Sequence, residues 1–270
     1  MSLRTQPHSL TKAIRALDTQ LGSDIAEPVP MTSHVYLLVG GRGSGKTTTA
    51  LNILNTRRGA YDTIWLVSKT GRADGHSKKM LGELIEELEE DGQFHTTLDE
   101  ETAQTIIERI QAFNAAYDGK RKGGPQHLVV LDDQLSNLRQ GQRSVVNDLV
   151  VNSRHLRMSL WVLTQQLRSV PPLWRANAQL ISIWPTASTK EHKALFEELD
   201  NIPEAQLRQY LSFAHKADGK GKPFLHINVF DAANPLLFKR FDRIVPGTPA
   251  PPVSEMAPRA TRATPGSAPQ

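Results

Sequence analysis

The strongest constraint on the fold of this chain is a glycine-rich loop between an apolar segment and a helical pattern. The stretch YLLVGGRGSGKTTTALNIL, residues 36–54, fits G-x-x-x-x-G-K-[ST] with Gly40, Gly45, Lys46 and Thr47. Glycines let backbone N–H groups close around an anion, and the positive end of the following helix adds attraction. The pattern predicts a phosphate-binding loop; a glycine-rich turn without a ligand is the alternative.

The predicted nucleotide is ATP with Mg²⁺. Lys46 is expected to reach the β- and γ-phosphates, and the Thr47 hydroxyl is expected to bind Mg²⁺. The predicted contacts to the nucleotide comprise the whole loop: Gly40, Gly41, Arg42, Gly43, Ser44, Gly45, Lys46, Thr47 and Thr48. A phosphate loop alone does not distinguish kinases, GTPases, helicases and motors.

Composition limits the class of protein. The chain has 270 residues, 39% of them hydrophobic, which suffices for one substantial α/β core. The absence of cysteine excludes disulfides and thiolate metal sites. A net charge of +4 permits a polyanionic partner, although a solvated basic surface explains it equally well. No apolar run approaches membrane-spanning length and the N-terminus lacks a signal peptide, so we expect a soluble protein without a membrane span.

Three regions are distinguished along the chain. Residues 1–32 form a polar leader with one amphipathic helical pattern at residues 11–21. Residues 33–245 form the predicted domain that carries the phosphate loop. Residues 246–270 are rich in Pro, Ala, Ser and Thr and are predicted to be a disordered tail.

Within the domain, β-rich apolar runs alternate with helical periodicity, which predicts an α/β fold with a mainly parallel sheet flanked by helices. The predicted strands are residues 34–39, 63–68, 127–133, 159–166 and 178–184; the predicted helices are residues 46–55, 77–90, 100–117, 144–157 and 189–199, with a further helix after Pro203. The runs PFLHINVF and PLLFKRF, joined by DAAN, predict a C-terminal antiparallel hairpin.

A second motif, HLVVLDDQ at residues 127–134, brings two carboxylates to the edge of the sheet where the phosphate loop lies. Asp132 is the expected Walker B acid that binds Mg²⁺, and Asp133 is the expected general base for an attacking water. A kinase needs only the first acid. A turn or helix-cap pair is the alternative, since Asp favours such positions.

A third motif, SLWVLTQQ at residues 159–166, is a strand that ends in polar amides. In additional-strand ATPases such a strand lies between the two Walker strands, and its polar end contacts the γ-phosphate or the attacking water. Gln165 is the predicted catalytic contact, with Thr164 and Gln166 as close rivals. An amide that satisfies loop backbone is the alternative.

Together with NSRHLRMSLWVLTQQLRSVPPLWRANAQLISIW, these motifs resemble the FtsK–HerA superfamily. The likeness is strongest to the genome-packaging ATPases of double-jelly-roll capsid viruses, which include large nucleocytoplasmic DNA viruses and virophages. The resemblance covers residues 34–184. It implies a P-loop NTPase fold of the RecA or additional-strand type and a homo-oligomeric ring, pentameric or hexameric, with ATP at subunit interfaces. Many cellular relatives carry Asp-Glu where this chain has Asp132 and Asp133.

The resemblance also implies a partner and a setting. The ring threads double-stranded DNA through its channel into a preformed capsid during virion assembly in the host cell, in the cytoplasm or a viral factory, with the motor in some cases remaining on the virion. A capsid-vertex or membrane protein is a further implied partner.

Rings of this kind need an arginine from the neighbouring subunit to offset charge on the transferring phosphoryl group. Arg154 is the predicted catalytic finger by its match to the family-like RH position, and Arg157, Arg168 and Arg175 are competitors. An ordinary ion pair is the alternative for each. Trp174 is predicted to be a packing anchor rather than a platform for a nucleic-acid base.

Two basic, glycine-containing loops, residues 68–79 and 118–126, are candidates for DNA contact, because lysine and arginine can track phosphates without reading sequence. Solvated linkers are the alternative. Three other functions stay open: a P-loop nucleotide or small-molecule kinase, a nucleotide-bound assembly scaffold without turnover, and a conjugation or filamentous-phage assembly ATPase of the same fold.

Overall fold

The computed structural model describes residues 3–6, 27–69, 75–119, 124–134 and 144–246. Its strands are β1 Leu3–Gln6, β2 Val35–Val39, β3 Thr63–Ser68, β4 Phe94–His95, β5 His127–Asp132, β6 Met158–Thr164, β7 Leu180–Ile183, β8 Leu225–Asn228, β9 Leu236–Lys239 and β10 Asp242–Pro246. Its α-helices are α1 Lys46–Arg57, α2 Gly75–Glu90, α3 Glu100–Ala116, α4 Val145–Val151, α5 Pro172–Ala176, α6 Thr189–Glu198 and α7 Glu204–His215.

The strands form one sheet in the order β1-β10-β9-β8-β7-β2-β6-β5-β3-β4. The block from β7 to β4 is parallel, and β8, β9, β10 and β1 extend it with antiparallel pairs. Strand β6 lies between β2 and β5. The predicted fold class, the inserted third strand and the C-terminal hairpin are therefore confirmed.

Two apolar cores cover the two faces of the sheet, as a parallel sheet requires. On β2, Val35, Leu37 and Val39 face one core, which also contains residues of α3, α4, α6 and α7. Tyr36 and Leu38 face the other, which contains residues of α1 and α2. Because side chains alternate along a strand, the buried run of β2 fills both cores and fixes the register of the central strand.

The residues just before β2 pack against the domain. Val29 is buried, its carbonyl accepts a hydrogen bond from Arg57, and Arg57 also pairs with Glu27 at 3.0 Å. The amphipathic pattern at residues 11–21 and the tail beyond residue 246 lie outside the described residues. So do residues 70–74 and 120–123 of the two basic loops.

The predicted helix over residues 144–157 is wrong in its second half. Helix α4 ends at Val151, and residues 152–157 form turns that lead into β6. The Ser153 hydroxyl donates to the Val150 carbonyl at 2.8 Å, and Arg157 adopts a left-handed conformation with φ 53°. Asn and Ser side chains compete with helical hydrogen bonds, which explains the helix end at this point.

Candidate active site

The phosphate loop joins the carboxyl end of β2 to α1 and is fastened to the neighbouring strand. The Gly40 N–H donates to the Thr164 carbonyl at 3.0 Å, and the Ser44 N–H donates to the Gly41 carbonyl at 3.2 Å. Gly43 and Gly45 have φ values of 70° and 103°. A side chain at either position would be strained, so the backbone path of the loop requires glycine there.

The first turn of α1 is open to an anion. Gly45 is its N-cap, no side chain in the described part of the chain caps the helix, and no acidic residue lies in its first turn. The N-terminal N–H groups of a helix have no partners within the helix and carry partial positive charge. The loop and helix therefore form an anion-binding end of the kind that holds phosphates.

Lys46 is folded back into this loop. Its side chain is buried, and Nζ donates to the carbonyls of Gly40 at 2.6 Å and Gly41 at 3.2 Å. Burial lowers the pKa of the ammonium, and the nearby carboxylates of Asp133 and Asp132 oppose that shift. The loop thus holds a cation close to both predicted acids, as the sequence motif predicts.

Asp132 ends β5 and is buried beside Ser68, the last residue of β3. The Ser68 hydroxyl donates to Asp132 Oδ2 at 3.0 Å. Thr47 and Asp132 both line a cavity of about 20 Å³ between α1, α2 and the sheet. The structure therefore brings together the two predicted Mg²⁺ ligands, although they come from opposite sides of the central strand β6.

Asp133 and Gln165 meet just beyond the carboxyl ends of β5 and β6. Gln165 Nε2 donates to Asp133 Oδ2 at 3.3 Å. The Asp133 N–H donates to the Leu163 carbonyl at 3.0 Å, and its backbone has φ 50°. A positive φ is uncommon for a residue with a side chain and often occurs at functional sites.

The rivals of Gln165 have other surroundings. Thr164 is buried, and its hydroxyl contacts the Gln166 carbonyl at 3.3 Å and the Ser169 hydroxyl at 3.1 Å. Gln166 is exposed at the start of the following turn. Of the three polar residues at this strand end, Gln165 is the one whose side chain contacts Asp133.

Arg154 is not part of this cluster within one subunit. It is exposed in the turn before β6, whereas the phosphate loop follows the other end of the parallel strand β2. A strand of this length separates the two edges by roughly 20 Å. Arg157 lies in the same turn, and its carbonyl accepts from the His127 N–H at 3.0 Å.

The remaining arginines lie beyond the carboxyl end of β6 and make intramolecular ion pairs. Arg168 Nε lies 3.4 Å from the carboxylate of Glu191. Arg175 Nε pairs with Glu198 at 2.5 Å, and Arg175 Nη1 donates to the Val170 carbonyl at 2.9 Å. Trp174 is buried and donates from Nε1 to Asn147 Oδ1 at 2.9 Å, so its prediction as a packing anchor is confirmed.

Three supporting residues were missed by the sequence analysis. Ser68 was considered as the end of a predicted strand and the start of a basic loop, but not as a partner of Asp132. Gln134 is buried behind the two acids, accepts from the Leu98 N–H at 3.0 Å and donates to the Asp132 carbonyl at 3.1 Å. Glu191 is buried and accepts from the Leu167 N–H at 2.6 Å, which fastens the turn after Gln165 to α6. The pairing of β3 with β5 could have indicated Ser68; the other two contacts span distant segments.

Strand β6, which ends in polar residues, lies between β2, which leads into the phosphate loop, and β5, which leads into the paired acids. This arrangement defines an additional-strand P-loop ATPase. Residues 31–199 match the family described as Poxvirus A32 protein. The chain belongs to that family, and the predicted membership of the viral packaging branch of FtsK–HerA ATPases is confirmed. No curated protein sequence matches the chain.

Solved structures of similar fold include the genome packaging NTPase B204 from Sulfolobus turreted icosahedral virus 2. In its complex with AMP the identity is 14%, the TM-score is 0.52, and the match covers 77% of this chain and 98% of that one. In its complex with sulfate the identity is 16%, the TM-score is 0.51, and the coverage is 77% and 96%. At these identities the likeness concerns the fold. None of the helices within the described residues is long and apolar enough to cross a membrane.

Proposed function

We propose that this chain is an ATP-driven motor that translocates double-stranded DNA into a preformed viral capsid. Membership of the Poxvirus A32 family supports a viral genome-packaging ATPase that acts in the infected cell during virion assembly. The B204 structures are described as those of a genome packaging NTPase, and complexes with AMP, AMPPCP and ATP-gammaS are among them. Translocation, the ring, a capsid-vertex or membrane-protein partner and a site of action in the cytoplasm or a viral factory are proposals.

The observation that carries the proposal is the contact between Gln165 Nε2 and Asp133 Oδ2, 3.3 Å apart, beside Lys46 and Asp132. A motor uses water as the nucleophile, so it needs a base and a group that orients the water. A kinase that transfers phosphate to a substrate hydroxyl does not need this pair. The geometry therefore favours hydrolysis over phosphoryl transfer to a small molecule.

The residues present also suit Mg²⁺. Thr47 and Asp132 supply a hydroxyl and a carboxylate, the hard oxygen ligands that Mg²⁺ takes in nucleotide sites, where phosphates and water provide the rest. Mg²⁺ bound there would neutralise charge on the β- and γ-phosphates. Ser68 holds Asp132 Oδ2 in place at 3.0 Å. Thr47 and Asp132 are therefore the proposed metal ligands.

In the proposed reaction each residue of the chain has a distinct role. Lys46 leaves its carbonyl contacts in the loop and pairs with the phosphates, together with the N–H groups of residues 40–48. Asp133 accepts a proton from the attacking water, and Gln165 orients that water. The bond between the γ-phosphorus and the bridging oxygen breaks, and ADP and phosphate are the products.

We also propose that Arg154 acts on the ATP of a neighbouring subunit. Its exposure, and its position at the sheet edge away from its own phosphate loop, support a role across an interface. The ion pairs of Arg168 and Arg175 make these competitors less available. The ring itself, with five or six subunits and DNA in its channel, rests on the resemblance.

The proposed DNA contacts are the two basic loops, which leave the sheet at opposite edges. Residues 68–79 follow β3 at the edge that holds the phosphate loop, whereas residues 118–126 precede β5 at the other edge. The first loop begins with Ser68, whose hydroxyl donates to Asp132. It is therefore the loop better placed to transmit the nucleotide state to DNA.

The function is tested by phosphate release with and without long duplex DNA of arbitrary sequence. Stimulation by DNA, lost in Lys46→Ala, is the expected result. If DNA does not change the rate of turnover and a small hydroxyl substrate is required, the protein is a kinase and not a motor. Electron microscopy with an ATP analogue and duplex DNA should show a closed ring with density through its centre.

The role of Arg154 is tested by mixing variants. Arg154→Ala should bind ATP almost normally yet hydrolyse it about a thousandfold more slowly, since a trans finger is worth that much or more in rate. Mixing it with Lys46→Ala should restore some activity, because an intact arginine then meets an intact phosphate loop. Mixed rings without activity would contradict the trans role. Full activity of Arg154→Ala would redirect attention to Arg157, Arg168 and Arg175.

A further inference from the structure

A further basic loop, residues 216–223, lies beside the phosphate loop and joins α7 to β8; it is called the 216–223 loop below. The sequence analysis did not single it out. Its segment DGKGK alternates glycine with lysine, and Gly219 and Gly221 have φ values of 75° and 109°. Glycine is needed for these conformations, so the backbone path of this loop is encoded by the sequence. Lys220 and Lys222 are both exposed.

Lys222 crosses the N-terminal end of α1. A methyl group placed on Gly45 would lie 3.5 Å from Cγ and 3.6 Å from Cβ of Lys222, and 3.9 Å from Nε1 of Trp184. These are ordinary contact distances. The stem of Lys222 therefore lies against the N-cap glycine of the helix whose open end is built to hold phosphate.

Two buried polar atoms without hydrogen-bond partners border the same loop. Trp184 is buried, with its ring 4.4 Å from that of Phe224, and neither its Nε1 nor the Ser44 hydroxyl has a partner among the described residues. A buried donor left unpaired costs about 1–3 kcal/mol. Such groups are rare in folded proteins, and these two lie where a bound phosphate, ion or water can pair with them.

The 216–223 loop is anchored on the antiparallel extension of the sheet. Asp218 pairs with Lys239 at 3.3 Å and accepts from Arg240. Lys239 Nζ also donates to the Lys216 carbonyl at 2.7 Å. The hydrogen bond from Arg240 holds the pKa of Asp218 well below its usual range. The loop that carries Lys222 is thus fixed to the end of β9.

We infer that residues 216–223 form a second wall of the nucleotide site and that the Lys222 ammonium pairs with the phosphate chain of ATP and ADP. The inference rests on the proposed role of the phosphate loop. Lys222 adds positive charge from the side opposite to Asp132 and Asp133, since β8 and β5 flank β2 on different sides. Nucleotide release would consequently change the position of the 216–223 loop, and Asp218 would transmit that change to the antiparallel strands.

The test compares variants of the full chain that keep the stem of the lysine. Lys222→Met removes the charge but keeps the apolar contact with Gly45, Lys222→Arg keeps the charge, and Lys220→Met is the matched control in the same loop. Binding of ADP and of pyrophosphate, each with Mg²⁺, is measured by calorimetry. Lys222→Met should weaken both about tenfold, the value of one charge-assisted hydrogen bond.

Lys222→Arg should bind ADP within about threefold of the unmodified chain and Lys220→Met within about twofold, because an exposed charge away from the ligand contributes little. In the unmodified chain ADP should slow amide hydrogen exchange in residues 216–223, and Lys222→Met should lose this protection. Equal ADP affinity of Lys222→Met and Lys220→Met overturns the inference. If Lys46→Ala also binds ADP normally, the phosphate loop itself is misassigned; if it does not, only the role of Lys222 fails.

Discussion

Two groups of polar side chains on the same strands differ in how fully the protein satisfies them. The buried polar layer comprises Tyr36, Trp161, Ser182 and His226 on the strands of the sheet, together with His34 just before β2. Tyr36 Oη lies 2.7 Å from Ser182 Oγ, which lies 2.9 Å from His226 Nδ1, and His226 Nε2 lies 2.6 Å from the Pro28 carbonyl. Because a carbonyl only accepts, His226 carries its proton on Nε2.

A few residues further along the same strands, the carboxyl edge is left incomplete. Gly43, Gly45 and Asp133 adopt positive φ, α1 has no side-chain cap, and the Trp184 indole N–H has no partner among the described residues. Polar groups that pair with each other specify the core, whereas strained or unpaired groups at an edge are prepared for a ligand. Substitutions in the two groups should therefore have opposite effects on turnover and stability.

Among the groups at the carboxyl edge, the largest effect on turnover is expected for Lys46→Ala. This change removes the cation that is closest to the phosphate-binding helix end, and loss of such a contact to developing charge lowers the rate about 1,000-fold. The melting temperature should change little, because within the described residues the lysine ammonium donates to carbonyls of its own loop. Lys193→Ala, an exposed lysine paired within α6, is the control and should keep full activity. Residual turnover above a tenth would contradict the site.

The two acids should separate binding from chemistry. Asp133→Asn should keep nucleotide affinity and lose about 100-fold or more in turnover, since it removes the proposed general base. Asp132→Asn should instead weaken the Mg²⁺-dependent part of nucleotide binding. Fluorescent-nucleotide titrations with and without Mg²⁺ measure both. An equal loss of affinity in the two variants would show that their roles are misassigned.

A smaller loss is expected for Gln165→Ala, about tenfold in turnover, because the orienting amide is removed while the base stays in place. Nucleotide affinity should stay within about twofold, as the amide contacts Asp133 rather than the loop. Gln166→Ala is the matched control, an exposed amide one residue further on. If Gln166→Ala were the more impaired variant, the amide that senses the nucleotide would have to be reassigned.

The parts of this molecule that could be predicted from sequence are those fixed by local patterns. The phosphate loop and the strands at residues 63–68 and 127–132 follow from periodicity and motif spacing, whereas the insertion of β6 was expected from the likeness to additional-strand ATPases. The end of α4 was missed because Asn152 and Ser153 do not outweigh an apolar helical pattern in the sequence. Contacts between distant segments were also missed: Ser68 with Asp132, and Lys222 with Gly45, depend on which strands become neighbours.

The smallest effect on turnover is expected in the buried polar layer, which should respond to acid instead. Burial lowers the pKa of His34 and His226 from 6.5 to about 4. The unfolded chain therefore binds more protons between these values, so the free energy of unfolding falls as the pH drops from 6.5 to 4. Arg57 near His34, and His34 near His226, act in the same direction.

His226→Phe should lower the free energy of unfolding at pH 7.5 by about 2 kcal/mol, because Ser182 and the Pro28 carbonyl lose their partner. It should also flatten the pH dependence below 6.5, since one buried group that resists protonation is gone. Urea unfolding at pH 7.5, 5.5 and 4.5 measures both, and ATP turnover of the folded variant at pH 7.5 should stay within about twofold, because the hydrogen bonds of His226 are to Ser182 and Pro28, which are not proposed catalytic groups. An unchanged pH slope would contradict the buried neutral histidine, and a tenfold loss of turnover would mean that the layer and the edge act as one site.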